Sequence, residues 1–342
     1  MITFENDYNH NAHAKIIARL AMSSNDFFPG YGVDDICEQA KNKIRAEINK
    51  ADAEIYFAVG GTQTNQLVIS TVLNPCEGII AATTGHVNGH EGGAIEYSGH
   101  KVLTIPEHDG KITAGDLKKY IQSCLDDESY DHIVHPGMTY ISYPTEYGTL
   151  YTKQELTDIY AVCKEYNIPL FIDGARLGYG LTSKACDLTM AELADLCDVF
   201  YIGGTKLGAL CGEAIVFSNM KAPKFFFTQM KQHGAVLAKG WLLGLQFDEF
   251  FYDDLYYKIG EHANDMADQV RQILAEAGCK FFIETYTNQI FVVMANDMLE
   301  KLRKDMLLTA WEPYDDTHIV VRFVTSFSTT QEDVNKLREI LL

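Results

Sequence analysis

Between Ile55 and Ile202 the chain repeats one pattern: a short apolar run, a stretch with helical spacing in most of the gaps, then another apolar run. The runs are Ile55–Val59, Gly78–Ala81, Lys101–Ile105, Tyr140–Tyr143, Leu170–Ile172 and Val199–Ile202. Runs this short and this uniformly apolar suit strands buried on both faces, since a half-exposed strand would alternate polar and apolar residues. Parallel neighbours need long crossovers, and helices supply them. One such helix opens at Thr152-Lys153-Gln154-Glu155, a capping box, and its residues Leu156, Ile159, Tyr160 and Cys163 recur at spacings of three and four. The pattern predicts an α/β domain built on a mainly parallel, doubly wound sheet.

After about residue 250 the texture changes. An acidic, Tyr-rich helical stretch from Asp253 to Leu274 leads to Lys280–Ile283, Gln289–Val293 and Ile319–Val324, and then to a last helix. That order predicts a smaller α+β domain. A length of 342 residues exceeds what one core usually supports. We therefore expect a large domain over residues 15–252 and a small one made of residues 1–14 and 253–342. No repeat, low-complexity tract or Pro/Ser-rich linker separates them.

The charge balance excludes some partners. With 28 Lys+Arg against 47 Asp+Glu, a net charge of −19 repels nucleic acid and anionic lipid. No stretch reaches the ~18 apolar residues of a membrane span, and Met1–Asp7 lacks the basic and apolar regions of a signal peptide. The 8 cysteines are scattered without a Cys-x-x-Cys pair, as expected of buried thiols in a reducing compartment. The sequence predicts a soluble, cytoplasmic protein with no nucleic acid or membrane partner.

Three motifs end apolar runs, where open parallel sheets bind ligands. Val59-Gly60-Gly61-Thr62-Gln63 turns from a strand into a helix, so free N–H groups at that helix start can cradle phosphate; a plain strand–helix turn reads the same way. Ile172-Asp173-Gly174-Ala175-Arg176 places a carboxylate and a cation at a strand end, where Asp173 serves either chemistry or capping. Ile202-Gly203-Gly204-Thr205-Lys206 places a lysine in apolar surroundings, which lower its pKa and make it a nucleophile or Schiff-base former. The separation of 33 positions between Asp173 and Lys206 (206 − 173) leaves room for one crossover helix, near Met190 to Cys197.

With Asp173-Gly174-Ala175-Arg176-Leu177, the lysine turn, Gly61–Asn65, His86–Gly93 and Arg322–Thr325, the chain resembles the fold-type I pyridoxal 5′-phosphate (PLP) enzymes. Within them it resembles the low-specificity threonine aldolase and β-eliminating lyase group. The resemblance implies a large seven-stranded sheet, PLP held covalently on Lys206, and Asp173 beside the pyridine nitrogen. It implies further that His86 stacks on the ring and that Gly61, Thr62 and Gln63 lie at the phosphate. Arg176 is expected at the cofactor and, with Arg322 and Asn6, at the substrate. Lys239 falls in a segment that reaches the phosphate of a neighbouring subunit, or else is a solvated surface lysine. A homo-oligomer, dimer or tetramer with shared sites, follows from the same resemblance.

Glu91 matches an acidic position of the group. The His86-x-x-x-His90 spacing raises a metal site, but Gly89 and Gly92 argue against a rigid helix presenting both rings, so no metal is expected. Where threonine aldolases carry a Thr-His-Asn motif, this chain has Ser142-Tyr143-Pro144-Thr145-Glu146-Tyr147, leaving Glu146 or Tyr147 to stand in. The expected reaction is cleavage of a β-hydroxy-α-amino acid to glycine and an aldehyde. A β-eliminating lyase, a transaminase and a non-catalytic PLP-binding protein are the alternatives.

Overall fold

The structure is a computed structural model and describes all 342 residues. Its strands, in chain order, are β1 (Ile2–Thr3), β2 (Glu54–Ala58), β3 (Glu77–Ala82), β4 (Val102–Ile105), β5 (His135–Ser142), β6 (Leu170–Asp173), β7 (Val199–Gly203), β8 (Glu213–Phe217), β9 (Lys280–Phe281), β10 (Gln289–Ala295), β11 (Met306–Leu307), β12 (Thr309–Pro313) and β13 (His318–Val324). A seven-stranded sheet runs β2-β8-β7-β6-β5-β3-β4, and a four-stranded one β12-β13-β10-β9. In the large sheet only β8 is antiparallel to its neighbours. The small sheet is antiparallel throughout.

Both faces of the large sheet are covered. Leu170, Ile172, Phe200 and Ile202 point into one apolar core, whereas Phe171, Val199 and Tyr201 point into the other. That period of two is what buried parallel strands require. The helix Lys153–Glu165 starts at Thr152 with both hydrogen bonds of the capping box in place. β8 has no counterpart in the sequence reading. It follows β7 by a short turn, too short for a crossover, so it reverses direction and pairs as a hairpin.

The helix Leu255–Glu276 joins the two cores. Its first turns, through Ala263, pack into the large sheet's core, and from Met266 onward it packs beneath the small sheet. The N-terminal segment bridges them from the other side. β1 pairs with β11, Phe4 exchanges backbone bonds with Leu307 and Val324, and the His13 amide donates to the Gly208 carbonyl at 2.7 Å. Chain between Glu5 and Ala12 is thereby drawn over the C-terminal ends of β6 and β7. No helix is long and apolar enough to cross a membrane.

Candidate active site

Asp173 ends β6 on the face it shares with Phe171. Register places Ser142 of β5 beside it, and Tyr140 of β5 and Tyr201 of β7 point to the same side. Asp173 Oδ1 accepts from the Tyr201 hydroxyl at 2.5 Å and the Ala175 amide at 3.0 Å, while Oδ2 accepts from the Tyr140 hydroxyl at 2.6 Å and Asn65 Nδ2 at 3.0 Å. Burial pushes this carboxyl upward, but the His86 charge and the Tyr140, Tyr201 and Ala175 donors outweigh it and hold the group below its ordinary value. Asp173 is thus a buried, ionised carboxylate fixed in place.

Lys206 follows β7 in a single 3₁₀ turn, Thr205–Leu207. Two glycines bring this turn against the aspartate turn. A Cβ on Gly174 would lie 1.9 Å from the Tyr201 carbonyl oxygen, and one on Gly203 would lie 2.4 Å from that of Ala175. Their backbones touch, the Gly203 amide donating to the Gly174 carbonyl at 3.0 Å. Across the turn, buried Glu213 of β8 accepts from the Gly204 amide at 3.0 Å and the Thr205 hydroxyl at 2.9 Å. Lys206 Nζ donates no hydrogen bond and joins no ion pair. Burial first, then the Arg176 charge, lower its pKa against the opposing pull of Asp7, Asp173 and Glu213. Burial raises Glu213 in turn, to about 8.

Lys206 and Asp173 line one cavity of ≈ 320 Å³, with Gly61, Thr62, His86 and Arg176 among its walls. At one end the helix Gly61–Val72 begins at Gly60 without a side-chain cap, so its first amides are free for an anion. His86 begins the single helical turn His86–Gly89, with Nδ1 2.8 Å from Glu91 Oε1. Glu91 also accepts from Asn65 at 2.6 Å, which ties the histidine to the aspartate through one asparagine. The His86 and His90 rings lie 5.7 Å apart, and among the chain's His, Cys, Asp and Glu residues no group of three is arranged to hold a metal ion.

A second lobe of ≈ 290 Å³ shares Tyr8, His86, Glu146, Arg176 and Lys206 with the first and adds His90, Arg322 and Trp311. Arg176 spends Nε and Nη2 on Asp7 at 2.7 and 3.0 Å, a buried two-point ion pair. Arg322 is held more loosely, by two 3.3 Å bonds to Gln289 Oε1 and the Glu5 carbonyl, and stacks 4.8 Å over Trp311. Burial and the repelling charge of Arg176 pull its pKa down to about 10, so it remains a cation at neutral pH. Asp7 pairs with Arg176, whereas Arg322 has no carboxylate partner in the chain. A carboxylate would balance it.

Of the residues singled out in the sequence, the structure brings together Gly61, Thr62, His86, Asp173, Arg176 and Lys206, with Arg322 in the adjoining lobe. Three stand apart. The Gln63 side chain turns away to the Val59 amide and the His233 carbonyl. Asn6 bonds only to Glu5 and Tyr8, and its neighbours Asp7 and Tyr8 reach the site instead. Lys239 is exposed and lines neither lobe. Sequence reasoning missed Asp7, Tyr8, Glu213 and the two tyrosines on Asp173. Glu213 alone carried a signal, an acid heading the apolar run Ala214–Phe217.

A family model described as beta-eliminating lyase matches residues 14–297. A low-specificity L-threonine aldolase from a Pseudomonas species is 31% identical over 315 residues, spanning 90% of this chain and 87% of that protein. A solved threonine aldolase structure from Leishmania major superimposes with a TM-score of 0.96 at 40% identity, over 100% of this chain and 98% of that one. A histidinol-phosphate aminotransferase from Clostridium acetobutylicum, 14% identical, shares the fold with a TM-score of 0.73 over 100% and 98% of the two chains.

Proposed function

We infer the reaction from a single premise: this chain belongs to the beta-eliminating lyase family, and is a PLP-dependent lyase of the threonine aldolase type. The reaction is cleavage of a β-hydroxy-α-amino acid, threonine or its allo isomer, to glycine and an aldehyde. One observation carries it: an unpaired amine at Lys206 and an ionised carboxylate at Asp173 share a cavity whose neighbouring lobe holds Arg322, a guanidinium with no carboxylate partner.

The residues present fit the cofactor. Lys206 would hold its aldehyde carbon, Asp173 its ring nitrogen, and the uncapped amides of Gly61 and Thr62 its phosphate. When bound, PLP supplies a conjugated sink for the electrons of whichever Cα bond stands perpendicular to its ring. Asp173 keeps the ring nitrogen protonated by its charge. Arg322 binds the substrate carboxylate, with Arg176 adding its field while remaining tied to Asp7. Gripping the carboxylate fixes rotation about Cα, and that rotation selects the bond to be broken.

The same reading makes the protein a cytoplasmic homo-oligomer, a tetramer or a dimer, with sites shared between subunits. Supporting it are large apolar side chains left exposed, among them Phe27 at 90% and Tyr97 at 88%, eight cysteines without a disulfide, and the position of Lys239 outside its own cavity. Purified protein given threonine is expected to release equimolar glycine and acetaldehyde, and to release little ammonia or keto acid from serine. Ammonia and keto acid as main products, with no aldehyde, would contradict the reading.

A further inference from the structure

The segment after β5, where an aldolase histidine is expected, is a closed turn that carries Glu146 inward. The Gly148 amide donates to the Thr145 carbonyl at 2.8 Å, the Thr145 amide to that of Thr149 at 3.0 Å, and the two threonine hydroxyls meet at 2.6 Å. Gly148, at φ +78°, fits against Thr287 and Gln289 of the small domain, and the Thr287 hydroxyl donates to its carbonyl at 2.9 Å. Rigidity of this kind positions a side chain for chemistry.

The Glu146 carboxylate is held by one oxygen only. Oε1 accepts from the Ser142 hydroxyl at 2.6 Å and the His86 amide at 2.8 Å, whereas Oε2 has no protein partner and opens onto the cavity. Glu146 lies on the wall common to both lobes, as Lys206 does. A substrate with its carboxylate at Arg322 and its amine at Lys206 therefore spans this wall. Tyr147, the other residue that could replace the histidine, points elsewhere. Its hydroxyl donates to Glu312 at 3.3 Å, and its ring packs among Phe282, Phe291 and Trp311 of the small domain.

Resting on the aldolase reading above, we propose that Glu146 Oε2 is the base that takes the proton of the substrate's β-hydroxyl. As the O–H bond breaks, its proton passes to Oε2 and its electron pair forms the aldehyde C=O bond. The Cα–Cβ pair remains with the glycine fragment, which gains one proton at Cα; Glu146 returns its proton to solvent, and the sum is proton-neutral. Burial, reinforced by the Asp173 charge, raises the Glu146 carboxyl against the Ser142 hydroxyl and the Glu146 and His86 amides. A more basic carboxylate is a better acceptor.

Glycine has no β-hydroxyl, so exchange of its α-proton with deuterium oxide depends on Lys206 and not on Glu146. In Glu146→Gln, Oε1 can still accept from Ser142 and His86, which preserves the turn. That variant is expected to lose threonine cleavage by about 10²- to 10⁴-fold in kcat. Its glycine dissociation constant, read from cofactor absorbance, and its glycine exchange rate should stay within about threefold of the parent, and Tyr147→Phe should cleave threonine like the parent. The proposal is overturned if Glu146→Gln cleaves threonine normally, if it loses glycine exchange in the same proportion, or if the loss appears in Tyr147→Phe. A parent protein that exchanges glycine but releases no aldehyde from threonine would instead remove the aldolase reading itself, and the proposal with it.

Discussion

Arg176 and Arg322 are close enough to repel, yet the two guanidinium groups have different duties. Arg176 is committed to Asp7 by two short bonds, so Arg176→Gln leaves a buried carboxylate without its partner and should cost about 3–5 kcal/mol of stability, visible as a lower urea midpoint. Arg322 has only long bonds to give up. Arg322→Gln should instead raise KM for threonine by about 10- to 100-fold, the worth of one or two charge-assisted bonds, with a smaller change in urea midpoint than the Arg176 variant. Equal destabilisation by both would contradict this division. At this scale Asp173 and Lys206 were legible because each ends an apolar run, where a charge needs a reason. Asp7 was not: it sits in a polar N-terminal stretch one position from Asn6, and only the fold brings it 169 residues along the chain to Arg176. Tyr140 and Tyr201 read as strand apolars, since the partner of a hydroxyl depends on register.

At the level of elements, the interlocked turns after β6 and β7 make the site. Gly174→Ala drives a methyl into the Tyr201 carbonyl, with no flexible side chain there to yield. We expect about 1–3 kcal/mol of destabilisation together with weakened cofactor retention, measured by equilibrium dialysis, because Asp173 and Lys206 are pushed apart. Thr152→Ala, at a distant helix start, should cost about 1 kcal/mol and leave retention unchanged. The parallel strands were visible in the sequence because burial on both faces makes them continuously apolar. β8 differs: its run Ala214–Phe217 is as apolar as the others, but its antiparallel direction follows from a connection length that periodicity does not report.

The whole molecule is closed by its N-terminal strap, which pairs with β11 at β1 and reaches the site at Asp7. Burial raises the Asp7 carboxyl, but the Arg176 and Lys206 charges outweigh it, so the folded pKa lies below the unfolded value of about 3.9. The tie therefore stabilises fully above that unfolded value and is lost as pH falls through the folded one. Urea midpoints taken between about pH 3 and pH 7 should fall less steeply on the acid side for Asp7→Asn than for the parent, from a lower plateau. Identical curves would show that the Asp7 tie contributes nothing.

Every role assigned here depends on the amine of Lys206 carrying the cofactor. Borohydride reduction of the purified holo-protein, followed by digestion and mass mapping, reads that directly. The pyridoxyl group should be found on the peptide containing Lys206 and on no other, and should vanish from Lys206→Ala. Label on a different lysine, or retained after that substitution, would contradict the account.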